Sequence, residues 1–280
     1  MTPPTQNPGG RWSDLERPPL NAAALRRALV REDSLYSDVR VVAATGSTNT
    51  DLVALAADGT ARAGSVLVAE EQTAGRGRLD RHWIAPARSG LFFSVLVDPG
   101  DVPPVRWGWL PLLAGVATAA ALTQAAGVDT ALKWPNDILV TVGGEERKAG
   151  GILAERVEGD GVVIGVGLNV TLREDELPVP GAGSLALAGA PNLDREPLLR
   201  AVLRSIERWY RDWEAAGGDP AGCRLDEAYA AGCATLGRTV RAELPGGRAV
   251  VGEAVAVDGD GRLVLATEDG VREPVGAGDI

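Results

Sequence analysis

The residues best suited to chemistry concentrate in an arginine- and glycine-rich run, GRGRLDRHW at positions 75–83. Arg76, Arg78 and Arg81 lie within six positions of one another, and two glycines allow a tight backbone path. A guanidinium offers paired N–H donors to phosphate or carboxylate oxygens, so such a loop suits the binding of an anion. A solvated basic turn is the alternative, and the adjacent Trp83 favours a binding loop over it.

The two lysines of the chain mark two further segments. Among 28 Lys and Arg residues only Lys133 and Lys148 are lysines, and they lie within sixteen positions of each other. An ammonium is a compact point charge that a planar guanidinium does not replace. A lysine that persists in so arginine-rich a chain therefore indicates a need for that charge, although survival by chance is the alternative.

The first lysine belongs to the run KWPND at 133–137, which combines a cation, an aromatic ring, a proline and a carboxylate. Asp137 is a candidate oxygen ligand for Mg²⁺, which nucleotide enzymes often hold with one or two carboxylates. Trp134 lies beside an apolar strand, where a tryptophan is more commonly a core residue.

The second lysine belongs to RKAGGILAE at 147–155, and a related pattern, IGVGLN, follows at 164–169. Glycines inside a strand often mark close approach of a ligand to the backbone, and a β-bulge is the alternative. Asn169 is a lone polar residue at the end of an apolar strand. If buried, it needs hydrogen-bond partners, which a ligand can supply.

Composition excludes several classes of function. The formal net charge of −10 argues against an electrostatic DNA clamp. One histidine excludes a multi-histidine metal site, and two cysteines at 223 and 233 match neither a disulfide framework nor a zinc pattern. The chain has no Walker-type Gly-Lys-Ser/Thr, and the run at 75–83 lacks the third glycine of a Rossmann fingerprint. We therefore expect no zinc and no haem.

The elements that must position these residues predict an α+β fold. Amphipathic or apolar helical patterns and alternating or apolar strand runs are interspersed along residues 21–216, with a proline- and glycine-rich loop at 172–191. The expected helices are 22–30, 52–57, 110–126 and 195–216, and the expected strands are 39–44, 65–71, 90–98, 131–134, 138–142, 151–157 and 162–170.

Beyond residue 232 the pattern changes to short alternating strands at 239–244, 248–257, 262–266 and 271–275. They predict a small antiparallel barrel or sandwich that carries none of the candidate ligand motifs. The most apolar stretch, 109–128, is interrupted by proline, threonine and glutamine, which predicts a buried helix rather than a membrane span. We expect a soluble, cytoplasmic protein without membrane partners.

Six segments, taken in order, resemble the biotin protein ligases, which adenylate biotin and transfer it to a lysine of a carrier protein. The resemblance extends over nearly all of the chain from about residue 41. It implies a mixed, mainly antiparallel sheet with helices, as in class II aminoacyl-tRNA synthetases and biotin ligases, followed by a small SH3-like β-barrel. The segments are Ser47-Thr48-Asn49, Glu71-Gln72, 75–83, 133–137, 148–152 and 165–170.

The Thr-, Pro-, Asn- and Gly-rich composition of the N-terminus predicts a disordered tail at 1–12. The resemblance further implies a catalytic biotin- and ATP-binding domain at 13–232 and the SH3-like domain at 233–280. Catalytic roles are implied for Lys148, Arg78 and Arg81, and Mg²⁺ binding for Asp137. Biotin binding is implied for Ser47, Thr48, Asn49, Gln72, Arg76, Gly77, Arg78, Trp83, Lys148 and Gly151. Binding of ATP or the adenylate is implied for Arg78, Arg81, Lys133, Asn136 and Asn169.

The implied reaction activates biotin with ATP and Mg²⁺ to biotinyl-5′-AMP and transfers biotin to a lysine of the biotin carboxyl carrier protein domain of acyl-CoA carboxylases. A lipoate or octanoate ligase or transferase of the same fold, and a non-enzymatic biotin-adenylate sensor, are the alternatives. Relatives that also repress transcription carry an N-terminal helix-turn-helix domain, for which the segment before the first strand is too short. We therefore expect no DNA partner, and a monomer or weak homodimer.

Overall fold

The structure is a computed structural model that describes residues 17–79, 81–159, 161–244, 248–276, 278 and 280. The strands of its main body are β1 (Asp38–Val42), β2 (Ser65–Ala69), β3 (Gly75–Arg76), β4 (His82–Trp83), β5 (Gly90–Val97), β6 (Thr130–Lys133), β7 (Asp137–Val142), β8 (Glu145–Arg156) and β9 (Val162–Asn169). Seven of them form one sheet in the order β1-β2-β5-β9-β8-β7-β6. Only β1 and β2 run parallel within it, so the expected mixed, mainly antiparallel sheet is confirmed.

The helices are α1 (Ala22–Leu29), α2 (Thr48–Ala57), α3 (Trp109–Ala125), α4 (Arg195–Ala215) and α5 (Leu225–Gly232). The side chains of Asn21 and Ser47 cap α1 and α2 by accepting hydrogen bonds from backbone N–H groups of the first turn. These polar residues satisfy donors that the helix itself leaves unpaired, which is why the helices begin there. The four helices expected from the sequence are confirmed, and α5 is additional.

The central strands are buried on both faces. Val66 and Val95 belong to the large core that also contains α3 and α4, whereas Leu67, Leu96 and Val163 pack with α2. Because successive strand residues point to opposite faces, α2 covers one face of the sheet and α3 and α4 cover the other. The continuous apolar runs of β2, β5 and β9 follow from this double burial.

Helix α3 is the central helix of the large core. By length and composition alone the stretch Pro104–Ala125 could cross a membrane, but 67% of its apolar window is buried inside the protein. Leu110, Leu113 and Leu122 are completely buried. The buried helix expected from the sequence is confirmed.

Strand β8 differs from the sequence expectation in its start. We expected a strand from 151, but β8 begins at Glu145, because the polar residues before 151 pair with β7 across the 143–144 turn. The register shifts where Ile138 pairs with Gly150 and Leu139 with Lys148, which leaves one extra residue on β8. This is the β-bulge that the sequence left as an alternative at these glycines.

The C-terminal unit is a four-stranded antiparallel sheet of β10 (Thr239–Glu243), β11 (Ala249–Val257), β12 (Leu263–Ala266) and β13 (Arg272–Val275), in that order. The small antiparallel unit expected from the sequence is confirmed. Among the residues that the structure describes, no pairing between β10 and β13 closes the sheet into a barrel. The expected tail at 1–12 lies outside the described residues, and the proposed boundary at 232/233 stays a prediction.

The C-terminal unit contacts the main body through its turn at 258–261. The indole N–H groups of Trp109 and Trp134 donate to the carbonyls of Asp258 and Gly261 at 3.1 and 3.2 Å. The approach is close: a Cβ added at Gly108 would lie 2.3 Å from the carbonyl oxygen of Asp260. Trp134 is only 2% exposed, which confirms it as a core residue.

Candidate functional site

A cavity of about 740 Å³ opens on the face of the sheet that carries α2 and the β3–β4 hairpin. That volume is typical of a small-molecule site. Every residue to which the sequence resemblance gives a role lines this one cavity: Ser47, Thr48, Asn49, Gln72, Arg76, Gly77, Arg78, Arg81, Trp83, Lys133, Asn136, Asp137, Lys148, Gly151 and Asn169.

Asn49 is fixed at the floor of the cavity by its hydrogen bonds. Its Nδ2 donates to the carbonyl of Leu153 at 3.0 Å and to Glu155 Oε2 at 2.9 Å, and its Oδ1 lies 2.6 Å from Ser94 Oγ. Both partners of the nitrogen are acceptors, so the amide orientation is determined and the Ser94 hydroxyl donates to Oδ1. Asn49 is 4% exposed and is fully engaged within the protein, so it shapes this end of the cavity.

Gln72 extends the same network. Its Oε1 accepts from the backbone N–H of Thr48 at 2.8 Å, and Thr48 Oγ1 lies 2.8 Å from Ser94 Oγ. The Nε2 group of Gln72 has no hydrogen-bond partner among the described residues. Because an amide nitrogen carries two donors, Gln72 offers N–H groups to a carbonyl acceptor in the cavity.

Two glycines of β9 make room for site side chains. A Cβ at Gly165 would lie 1.9 Å from Asn49 Oδ1, and a Cβ at Gly167 would lie 2.9 Å from the Trp83 ring. We expected strand glycines to mark the close approach of a ligand. At these two positions protein side chains approach the backbone, and both glycines also line the cavity, so the close approach of a ligand stays a prediction.

Lys148 stands between the hairpin and β7. Its Nζ lies 2.6 Å from Asp137 Oδ1 and 5.9 Å from the centroid of the Trp83 ring. The side chain is 34% exposed, so the ammonium is positioned by a carboxylate and an aromatic face while remaining accessible from the cavity. An anion entering the cavity would meet this charge.

Asp137 is the carboxylate expected to bind Mg²⁺. Its Oδ1 is paired with Lys148, and among the described residues no group of three His, Cys, Asp or Glu side chains is placed to hold a metal. Mg²⁺ usually keeps several waters and is bound by one or two carboxylates plus substrate phosphates. Asp137 therefore fits an ion that arrives with a nucleotide, and a resident metal is not supported by these residues.

Arg78 and the side-chain amides of Asn136 and Asn169 form a further part of the cavity lining. Arg78 Nη1 lies 3.5 Å from Asn136 Oδ1, and Asn136 Nδ2 donates to the carbonyl of Ile152 at 3.0 Å. Asn169 donates through Nδ2 to the carbonyl of Gly183 at 3.0 Å, whereas its buried Oδ1 has no partner among the described residues. Buried polar atoms are nearly always paired, so this acceptor is available to a bound ligand.

Comparison with known proteins decides the family. The biotin/lipoate A/B protein ligase family matches residues 41–169, and the biotin protein ligase C-terminal domain matches residues 235–280. The biotin–[acetyl-CoA-carboxylase] ligase of Mycobacterium tuberculosis is 44% identical over 270 residues, which are 95% of this chain and 97% of that protein. The chain belongs to the biotin protein ligase family. The resemblance inferred from the six motifs is thereby confirmed.

Two further relatives place this biotin protein ligase family member among characterised folds. The solved biotin protein ligase of Aquifex aeolicus in complex with biotin and ATP is similar with a TM-score of 0.70 and 27% identity, over 87% of this chain and 97% of that one. The bifunctional ligase/repressor BirA of Escherichia coli is 30% identical over 218 residues, which are 76% of this chain and 64% of that protein.

Sequence reasoning missed two contributions of the C-terminal unit to the site of this family member. Arg238 and Ile280 line the cavity, although the unit carries none of the candidate ligand motifs. Arg238 forms two hydrogen bonds with Glu146, at 2.8 and 2.7 Å. The hydrogen bond from Arg238 lowers the pKa of Glu146 and outweighs the opposing effect of burial, and the charge of Lys133 lowers it further.

Two positioning residues, Ser94 and Glu155, were also missed. Ser94 lies within the apolar run of β5, where a single small polar residue gives no signal in the sequence. Glu155 appeared only as the last residue of the run at 147–155, without a role.

Proposed function

We propose that this chain activates biotin with ATP to biotinyl-5′-AMP and then transfers the biotinyl group to a lysine of the biotin carboxyl carrier protein domain of an acyl-CoA carboxylase. One observation carries the proposal: the six motif segments meet around a single cavity. The 44% identity to a biotin–[acetyl-CoA-carboxylase] ligase over 95% of the chain supports the choice of biotin as substrate.

The biotin ring binds at the α2 end of the cavity. Gln72 donates from Nε2 to the ureido carbonyl of biotin, and the Ser94 network holds Thr48 and Asn49 in place around the ring. Trp83 covers the ligand, while Ser47 and Gly151 complete the walls. The arginines of the 75–83 hairpin, together with Gly77, close over the bound molecule.

Adenylation requires two anions to meet. An oxygen of the biotin carboxylate attacks the α-phosphorus of ATP, a new O–P bond forms, and the bond to the bridging oxygen breaks as pyrophosphate leaves. Lys148, Arg78 and Arg81 neutralise the repulsion between the two anions and the charge that develops in the transition state. The pairing with Asp137 holds the Lys148 ammonium in place before the substrates bind, so little reorganisation is needed.

The nucleotide occupies the other end of the cavity. Arg81 and Lys133 bind phosphates, and Asn136 and Asn169 bind the adenylate, where the unpaired Oδ1 of Asn169 accepts a hydrogen bond from the nucleotide. Asp137 would hold Mg²⁺ bound together with ATP, and the ion would neutralise phosphate charge.

In the second step the neutral amine of the acceptor lysine attacks the carbonyl carbon of the mixed anhydride. An amide bond forms, the bond between that carbon and the phosphate oxygen breaks, AMP leaves, and the amine loses a proton. Closure of the 75–83 hairpin over the anhydride excludes water and limits hydrolysis. We further propose a cytoplasmic enzyme without DNA or membrane partners that acts as a monomer or weak homodimer.

Substrate-dependent pyrophosphate release tests the proposal. The purified chain is incubated with ATP and Mg²⁺ together with biotin, lipoate or octanoate. Pyrophosphate is expected with biotin alone, and addition of a carrier domain should then yield a protein heavier by one biotinyl group. Release with lipoate or octanoate instead of biotin would indicate a lipoate-type ligase, and binding of biotin without any release would indicate a sensor.

A further inference from the structure

Glu155 connects the hairpin above the cavity to the floor below it. Its Oε1 accepts a hydrogen bond from Arg76 Nη1 at 2.9 Å, and its Oε2 accepts one from Asn49 Nδ2 at 2.9 Å. The carboxylate is one-quarter exposed and lies behind the cavity wall, outside the set of lining residues. It therefore acts on the site through Arg76 and Asn49 rather than on a ligand directly.

The contact with Arg76 constrains the whole hairpin. Arg76 pairs with His82 and Gly75 pairs with Trp83 across the two short strands. Trp83 in turn packs against Gly167 of the sheet. Because a charge-assisted hydrogen bond is stronger than a neutral one, loss of the Glu155 charge would loosen the hairpin more than loss of an ordinary turn contact.

The contact with Asn49 constrains the floor. Glu155 and Leu153 together accept both N–H groups of the Asn49 amide, which turns Oδ1 towards Ser94 and thereby orders the Thr48–Gln72 part of the network. One carboxylate thus positions both the hairpin above and Asn49 below the α2 end of the cavity, where the biotin ring is proposed to bind. No other described side chain hydrogen-bonds to Arg76 and Asn49 together.

We propose that Glu155 is a positioning residue that couples the placement of the 75–83 hairpin to the orientation of Asn49, and that this coupling sets the affinity for biotin. The inference rests on the proposed function of the cavity. It predicts a larger effect on biotin binding than on ATP binding, because Glu155 contacts Arg76 and Asn49 and has no hydrogen bond to Lys133, Asn136 or Asn169.

The first test uses Glu155→Gln, which preserves shape and an acceptor oxygen while removing the charge. We expect KM for biotin to rise about tenfold in the pyrophosphate assay, and by a larger factor than KM for ATP. Glu158→Gln is the matched control, since this exposed glutamate follows β8 and forms no hydrogen bond or ion pair with any residue that the structure describes. Its kinetics should equal those of the wild type. An unchanged KM for biotin in Glu155→Gln, or an equal rise in both KM values, would overturn the inference.

A double-mutant cycle tests the coupling itself. Arg76→Gln and Glu155→Gln remove the two ends of one interaction. The double variant should therefore show the KM for biotin of the more impaired single variant, not a KM raised by the product of both effects. Multiplying effects would show that the two residues act independently and would contradict the inference.

A readout without turnover separates this inference from the proposed function. If the wild type and Glu158→Gln release no biotin-dependent pyrophosphate, the proposed function is wrong. The coupling is then measured by trypsin cleavage after Arg78 and Arg81 in the ligand-free protein. Cleavage should be several-fold faster in Glu155→Gln than in the wild type and in Glu158→Gln, and equal rates would overturn the coupling.

Discussion

The close approach of α2 to β9 makes Gly165 the most informative single position of the site. A Cβ at Gly165 would lie 1.9 Å from Asn49 Oδ1, whereas ordinary contact begins at 3.4 Å. The Asn49 amide must therefore retreat by at least 1.5 Å in Gly165→Ala. Such a displacement separates Asn49 from Ser94, Leu153 and Glu155 together.

The magnitude follows from those three hydrogen bonds. A neutral hydrogen bond contributes about 0.5–1.5 kcal/mol and one to a charged group about 1.5–3 kcal/mol. Partial repacking recovers some of this, so we expect Gly165→Ala to lower the free energy of unfolding by about 3 kcal/mol. For a chain of this size the melting temperature should fall by roughly 5–10 °C. KM for biotin should rise at least about tenfold, because Asn49, which forms the floor of the cavity at the proposed biotin end, is displaced.

Thermal melting and the pyrophosphate assay measure the two effects. Gly46→Ala is the control, since Gly46 immediately precedes Ser47, the N-cap of α2, and a Cβ there meets nothing within 4 Å. In the Asn49→Ala background the clash is gone, so adding Gly165→Ala should lower the free energy of unfolding only slightly. A Gly165→Ala variant with the melting temperature and KM of the wild type would refute the argument.

Other regions give four shorter predictions. Lys148→Arg should slow biotin-dependent pyrophosphate release by about 10²–10³, because a planar guanidinium cannot replace the compact charge; a rate near that of the wild type would contradict this. Biotin with ATP should protect residues 75–83 from trypsin, since an anionic adenylate offsets the repulsion among the arginines; equal cleavage with and without ligands would argue against it. Because Arg238 lowers the pKa of Glu146, the stability that this pair adds is present above the ordinary glutamate pKa and is lost as pH falls through the lowered value. The difference in melting temperature between the wild type and Glu146→Gln should accordingly disappear at low pH. A difference that persists at low pH would contradict this prediction. Gly108→Ala should lower the free energy of unfolding by about 2 kcal/mol in denaturant titrations, because the added Cβ clashes with a carbonyl of the 258–261 turn. Unchanged stability would show that this turn can move away without loss of stability.

Most elements of the fold were predictable because local signals coincide with tertiary demands. Polar caps mark the starts of α1 and α2, and the apolar runs of β2, β5 and β9 reflect burial on both faces. Helix α5 was missed because it begins after Arg224, which is in the left-handed region with φ 59° and gives no side-chain cap. The start of β8 was missed because Glu145 and Glu146 are exposed, and only their pairing with β7 makes them a strand.

The candidate site was predictable from the sequence where it contains an unusual residue type. A lysine in an arginine-rich chain, or a glycine in an apolar strand, departs from its surroundings and is visible in the sequence. Ser94, Glu155 and Arg238 are ordinary residues in ordinary segments, and their importance arises from partners distant in sequence. Such contacts are created by the fold, so the sequence pattern alone does not reveal them.

The turn at 258–261 has a consequence for anyone who wishes to shorten or redesign this enzyme. A chain ended at residue 237 would leave the indole N–H groups of Trp109 and Trp134 without their carbonyl acceptors and would expose both rings, which are now almost fully buried. It would also open a core that residues such as Leu263 and Val275 share with the main body. A minimal version therefore needs a new polar surface over these tryptophans, or it will aggregate before its catalytic capacity can be measured.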